Sequence, residues 1–286
     1  MDSNKIELRG ERDFGEIFNA SLSFLRQEIN ALGKAILVFV LPTAILLSLF
    51  STYVSASVVM YNAFWKSILN AFAALIAQTI IYVTVYSYLN LYFQKLKNIT
   101  NKELFREMRS NFFKVFWAIL AIVIIVVIAI AICYGLFANT APSVGGVLAI
   151  ITAVYLLVSL SILVAITVFE RNGFFNAFSR SFKLTHMKWW NTFLIIMVGG
   201  IIVFVILMIL QSPIIVFSFV MRMHGSYESF TEYFTILTIY SSLSSAVAHI
   251  FYTIPAFLAA FQYLNLVEAR EKPSLRSRIN EIGENE

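Results

Sequence analysis

His249 is the residue in this chain best placed to do chemistry inside an apolar environment. It falls near the middle of a long uncharged run and follows Ser241, Ser242, Ser244 and Ser245, with Ser245 one helical turn before it on the same face. Asn70 and Gln78 in an earlier run, and Gln211 in a later one, are the other amides at comparable depth. Polar groups at bilayer depth are costly and attract a functional reading. Two readings stand. In one, His249, Ser245, Asn70 and Gln78 line a polar cavity for a substrate or a proton. In the other they are hydrogen-bond links between helices, worth about 0.6–2 kcal/mol each. The second needs only a neighbour, whereas the first needs convergence, so linkage is the preferred expectation.

A second group lies where an uncharged run ends. Glu170 closes that run, and Arg180, Ser181 and Lys183 follow in a basic segment. Glu170 is expected to pair with Arg180 or Lys183 as the chain turns onto the membrane surface. Ser181 is expected to cap or bond a neighbouring backbone group. Both are structural roles rather than catalytic ones.

Recognisable catalytic patterns are missing. The sequence holds no G-x-G-x-x-G, no Walker lysine loop, no H-E-x-x-H and no G-x-S-x-G. The histidines are His186, His224 and His249 only, so a four-histidine metal centre is excluded by counting. His186 and His224 fall in loops on opposite sides, which argues against a shared metal. No cofactor and no enzymatic activity are expected. Glu228 and Glu232, at i and i+4 in an outer loop, read as a solvated face.

These residues must be positioned by membrane-spanning helices. Of 286 residues 59% are hydrophobic and 13% charged, and the mean hydropathy is +0.80. A soluble domain has about 25% charged residues, so a water-soluble globule is excluded, as is a disordered chain. Uncharged runs cover residues 35–65, 67–94, 115–169, 189–221 and 233–267. A bilayer core of about 30 Å needs roughly 20 helical residues. The 55-residue run is too long for one crossing and divides at Asn139-Thr140-Ala141-Pro142-Ser143. Six spans follow, near 35–53, 67–92, 115–137, 145–169, 191–217 and 234–264. The first apolar run begins after 34 residues carrying both signs of charge, unlike a secretory signal. Cys133, the single cysteine, permits no internal disulfide.

Lysine and arginine divide unequally between the two sides of this arrangement. Nineteen lie in the N-terminal arm, the two loops after spans 2 and 4 and the C-terminal tail, against only Lys66 and Arg222 opposite. The positive-inside bias therefore predicts a plasma (inner) membrane protein with both termini in the cytoplasm. The surplus of positive charge sits in the two inner loops, where it sets topology and attracts anionic lipid rather than nucleic acid. The chain divides into a cytoplasmic arm (1–34), a transmembrane domain (35–267) and a charged tail (268–286).

Three polar segments alternate aromatic and charged faces at helical spacing. They are residues 14–30 (Phe14, Ile17, Phe18, Leu25, Ile29), 102–113 (Leu104, Phe105, Met108, Phe112) and 173–187 (Phe174, Phe175, Phe178, Phe182). Each is expected to lie in the membrane interface. Each precedes two spans, and the pairs Ile17-Phe18, Leu104-Phe105 and Phe174-Phe175 share a register. The predicted architecture is thus an all-α bundle of six transmembrane helices with three interfacial helices, in a threefold repeat of interfacial helix plus hairpin. Gly199-Gly200 is expected to admit a close helix approach, and Pro255 to kink span 6.

The stretch from Glu170 through Gly173, Ala177-Phe178, Arg180-Ser181 and the aromatic Trp189-Trp190 resembles a broad group of six-span bacterial membrane proteins. They are related to the membrane domain of glycerophosphodiester phosphodiesterases. The N-terminal Arg12-Asp13-Phe14-Gly15-Glu16-Ile17 is similar too. The resemblance implies a helical bundle with interfacial helices. It implies no phosphodiesterase activity, which belongs to a separate soluble barrel that this chain has no room for. The expected role is a non-enzymatic scaffold or accessory component whose partners are membrane lipids and other membrane proteins. The alternative is a small-solute or lipid transporter with a polar site near His249.

Overall fold

The computed structural model describes residues 12–56, 63–95, 99–170, 173–224 and 227–272. Arg171, residues 1–11 and the tail beyond 272 lie outside the described residues, as do the side chains of Arg222, His224, Glu228 and Glu232. Every regular element among the described residues is helical. Six stretches are long and apolar enough to cross a bilayer: Ile29–Ser55, Ala63–Gln94, Asn101–Phe137, Pro142–Phe169, Trp189–Val220 and Ile236–Glu271. The chain is a multi-pass, all-α membrane protein.

Helix α1 (Phe14–Gln27) precedes the first span. That span joins α2 (Ile29–Ala35), a π-helical turn (Ile36–Val40) and α3 (Leu41–Ala56). The wide turn lies directly before Pro42, whose missing N–H leaves the Val38 carbonyl without its usual donor. Helices α4 (Ala63–Lys95) and α5 (Asn101–Phe137) form the next two spans. The fourth is α6 (Pro142–Leu160) continued by α7 (Leu163–Phe169). Pro142 opens α6, where a missing N–H costs nothing. Helix α8 (Phe174–Met187) leads into the 36-residue α9 (Trp189–His224). The last span is α10 (Tyr227–Phe251) and α11 (Thr253–Glu271). It breaks at Tyr252, since Pro255 cannot donate to the Phe251 carbonyl. Pro213 sits inside α9 without ending it.

Two helix starts have reciprocal caps. Asp13 Oδ1 accepts from the Glu16 N–H at 2.8 Å while Glu16 Oε2 accepts from the Asp13 N–H at 3.1 Å. Thr100 and Glu103 do the same at the head of α5. Helix α8 starts at Gly173 with no side-chain cap.

Two of the three amphipathic segments differ from expectation. Residues 102–113 are not a helix of their own but the first three turns of α5, which runs unbroken for 37 residues. No glycine, proline or cap residue separates Phe112 from Val115, so the helix continues into the bilayer. In α1 the buried stripe is Ile17, Ser21 and Phe24, whereas Ile29 is 62% exposed. Phe24 meets Tyr92 edge-on at 5.1 Å and packs against Phe257 and Phe261. One face of α1 is thereby seated on the bundle.

The core lies toward the end of the bundle capped by α1 and α8. Residues Val83 to Leu91 of α4, Ile162 with Leu163 to Val168 of the α7 it precedes, and Ala256 to Leu266 of α11 are all buried. At the other end the α5–α6 hairpin leaves Val127, Ile132 and Leu136 exposed, as lipid-facing surface would be. Helix α9 crosses α11 at Gly199, where a β-carbon would stand 3.0 Å from Leu258 Cδ1 and 3.3 Å from Pro255 Cα. The same atom at Gly200 would meet nothing within 4 Å.

Candidate functional site

Two polar clusters stand out, one at each end of this core. The first forms where α4, α7, α8 and α11 converge. Glu170, which ends α7, accepts from Arg180 Nε at 2.6 Å and from the Tyr263 hydroxyl at 2.8 Å. Arg180 Nη2 also reaches Glu271 Oε1 at 2.7 Å. Burial lowers the Arg180 pKa, but the carboxylates of Glu170 and Glu271 outweigh it and leave the guanidinium above its ordinary value. Lys183, the other expected partner, lies on the exposed side of α8. A cavity of about 410 Å³ opens beside this pair, bordered also by Asn90, Gln94 and Glu268. Ser181 is fully buried, and its hydroxyl donates to the Ser159 carbonyl at 2.6 Å, tying α8 to α6.

The second cluster lies between α3, α4 and α10. A cavity of about 320 Å³ is lined by His249 and by the hydroxyl residues Ser48, Ser51, Thr52, Ser55, Ser241 and Ser245. His249 Nδ1 lies 2.6 Å from the Ser245 carbonyl oxygen. A carbonyl only accepts, so Nδ1 carries the hydrogen in this contact. Ser241, Ser245 and His249 fall at i, i+4 and i+8, one stripe along α10. Asn70 joins the cavity wall indirectly: its Oδ1 accepts from Ser51 at 2.7 Å and its Nδ2 donates to Ser55 at 3.2 Å. Gln78 does not join it; its side-chain partner is Tyr82, further along α4. Gln211 donates to Ser244 at 3.4 Å, linking α9 to α10. The structure therefore brings His249, Ser245 and Asn70 to one place and leaves Gln78 outside it.

Between the clusters the bundle is packed. Along α4, Ala77 borders one cavity and Asn90 the other, about 20 Å apart at the helical rise. The interval is filled by Ile81, Val85, Tyr86 and Leu89 against Phe257, Ala260 and Phe261, all at most 2% exposed.

No group of three or more His, Cys, Asp or Glu side chains placed to hold a metal ion occurs among the described residues. Comparison with protein-family models, curated proteins and solved structures returns no match. The site must accordingly be read from its own geometry.

Sequence reasoning missed Tyr263, Glu271, Glu268 and Asn90 as members of the first cluster, and also the Tyr88–Glu28 bond of 2.7 Å that fixes α2's start to α4. Tyr263 and Glu170 are 93 positions apart. The available signal was local. Glu268 and Glu271 share a helical face on the continuation of span 6, which a boundary at 264 excluded.

Proposed function

We propose that this chain is a non-enzymatic scaffold or accessory component of the plasma membrane, in contact with lipid, with both termini in the cytoplasm. The packed layer between the two cavities carries this reading. A bundle closed by Phe257, Phe261 and Tyr86 between its middle and the end capped by α1 and α8 behaves as a rigid anchor rather than a conduit. The orientation is supported by the lysine and arginine asymmetry. The likeness to six-span proteins related to a phosphodiesterase membrane domain belongs to the same proposal and supplies no activity. The deciding experiment combines native mass spectrometry of the purified chain with solute flux in proteoliposomes. Retained lipid or protein partners and no flux above empty vesicles are expected; saturable uptake would overturn the reading.

A second reading, a transporter for small solutes or lipid, is favoured by one observation. The hydroxyls of Ser241 and Ser245 bond no other described residue and border the His249 cavity. Polar groups left open at depth are what a midplane site needs. His249→Ala separates the two readings. Under the scaffold reading it lowers thermal stability alone. Under the transporter reading it changes flux or ligand-dependent stability as well.

A further inference from the structure

Helix α5 presents two unlike faces along its first four turns. Leu104, Met108, Asn111 and Val115 form the buried stripe. Opposite them Lys102, Phe105, Arg106, Arg109, Phe113 and Trp117 are all exposed, at spacings that keep them within about 120° of one another around the helix. Lys114 is exposed on the flank of this face. None of the four cationic side chains, Lys102, Arg106, Arg109 and Lys114, forms an ion pair or hydrogen bond with a described residue. The acids of the same stretch are engaged elsewhere: Glu103 closes the cap with Thr100, and Glu107 accepts from Asn90 and Asn111. The three aromatic rings among the cations are each between 55% and 68% exposed. A face that joins unpaired cations to exposed aromatics has the chemistry of a surface for anionic lipid.

Depth separates lipid from an acidic protein segment as the occupant. Phe105 stacks on Phe39 at 6.2 Å, and Phe39 belongs to the π-helical turn of the first span, next to the exposed Leu37 and Val38. The first and third spans both start from the same end of the bundle. Arg109, one turn past Phe105, therefore stands about 6 Å deeper than a ring already level with apolar surface. A guanidinium at that level needs an anion that the leaflet itself carries. Its flexible stem lets the charge reach the phosphate layer while Trp117 sits at the boundary. We propose that this face of α5 binds the phosphates of anionic phospholipids in the leaflet at the α1 and α8 end. The inference rests on the lipid contact in the proposed function and gives that contact a place. Solute flux, which decides between scaffold and transporter, does not enter its test, so the two fail separately.

The test titrates the full chain in detergent with phosphatidylglycerol, phosphatidylcholine or inorganic phosphate and counts bound molecules by native mass spectrometry. Phosphatidylglycerol is expected to bind more tightly than phosphatidylcholine. Arg106→Gln and Arg109→Gln are each expected to weaken phosphatidylglycerol about fivefold, and the two together about 25-fold, with phosphatidylcholine unchanged. Lys66→Gln, which removes one positive charge at the opposite end of the bundle, is expected to bind like the parent. Equal weakening by Lys66→Gln overturns the site, as does unchanged phosphatidylglycerol affinity in the double variant. Inorganic phosphate that binds as tightly as phosphatidylglycerol overturns the lipid source. Absence of any lipid preference, together with capture of a poly-glutamate peptide that the double variant loses, overturns the lipid occupant in favour of an acidic protein segment. Both arginines are exposed, so Tm without added lipid is expected to stay at the parental value. If the double variant fails to fold, the two single variants compared with Lys66→Gln decide the matter.

Discussion

Glu170 is the residue on which the membrane-surface end of the bundle turns. It joins α7 to α8 through Arg180 and α7 to α11 through Tyr263. Its side chain is 16% exposed while that of Glu271 is 38% exposed, so the two carboxylates on Arg180 are unequal. Glu170→Gln is expected to cost about 1–3 kcal/mol, read as a lower Tm in detergent, because it weakens two bonds in a half-buried setting. Glu271→Gln is expected to cost about 0–1 kcal/mol, as an exposed pair is screened by water. Equal effects would contradict this ranking. The Glu170–Arg180 contact was one of two pairings open from the sequence, because Arg180 and Lys183 both follow within one short helix. Tyr263 was out of reach, since nothing in a linear chain reports which face of span 6 turns toward span 4. His249 shows the opposite case: its hydroxyl-rich neighbourhood was legible because Ser241, Ser245 and His249 share one helix and one face.

At the scale of elements, two close fits set how helices meet. Gly199→Leu forces a side chain into Pro255 and Leu258 and is expected to cost about 1–3 kcal/mol of stability. Gly200→Leu faces open space and is expected to stay within about 0.5 kcal/mol of the parent. Thermal unfolding of the two variants side by side checks this. Helix α1 is held chiefly by Phe24, which is fully buried against Tyr92, Phe257 and Phe261. Phe24→Ala is expected to release α1, so that limited proteolysis cuts near residues 12–27 faster than in the parent; an unchanged cleavage rate would show that α1 docks by other means. The existence and number of long helices were readable because charge is excluded from hydrocarbon. Their ends were not, because a helix pays no penalty for continuing past the bilayer, as α5 does from Asn101 and α11 does to Glu271. The buried face of α1 was misplaced for a related reason. Its apolar residues spread over more than one face, and the packing against α4 and α11 selects the stripe of Ile17, Ser21 and Phe24.

At the scale of the whole molecule, the proposed orientation gathers the basic residues of a six-crossing chain on one side of the bilayer. The bundle itself joins the two ends of the described chain, since the Arg12 N–H donates to Asn265 Oδ1 at 2.8 Å. Composition conveyed the membrane setting, and the uncharged runs with the turn at residues 139–143 conveyed the crossing number. Neither conveyed the dense core at one end or the exposed α5–α6 hairpin at the other, which depend on contacts distant in sequence. Cys133 is the only native cysteine, so a Cys133→Ser background permits a clean topology map. Single cysteines placed by Lys66→Cys, Arg222→Cys, Lys102→Cys and Lys183→Cys are to be treated in intact cells with a membrane-impermeant maleimide, before and after lysis. Positions 66 and 222 are expected to label in intact cells, and positions 102 and 183 only after lysis. Labelling of 102 or 183 in intact cells would contradict the proposed orientation.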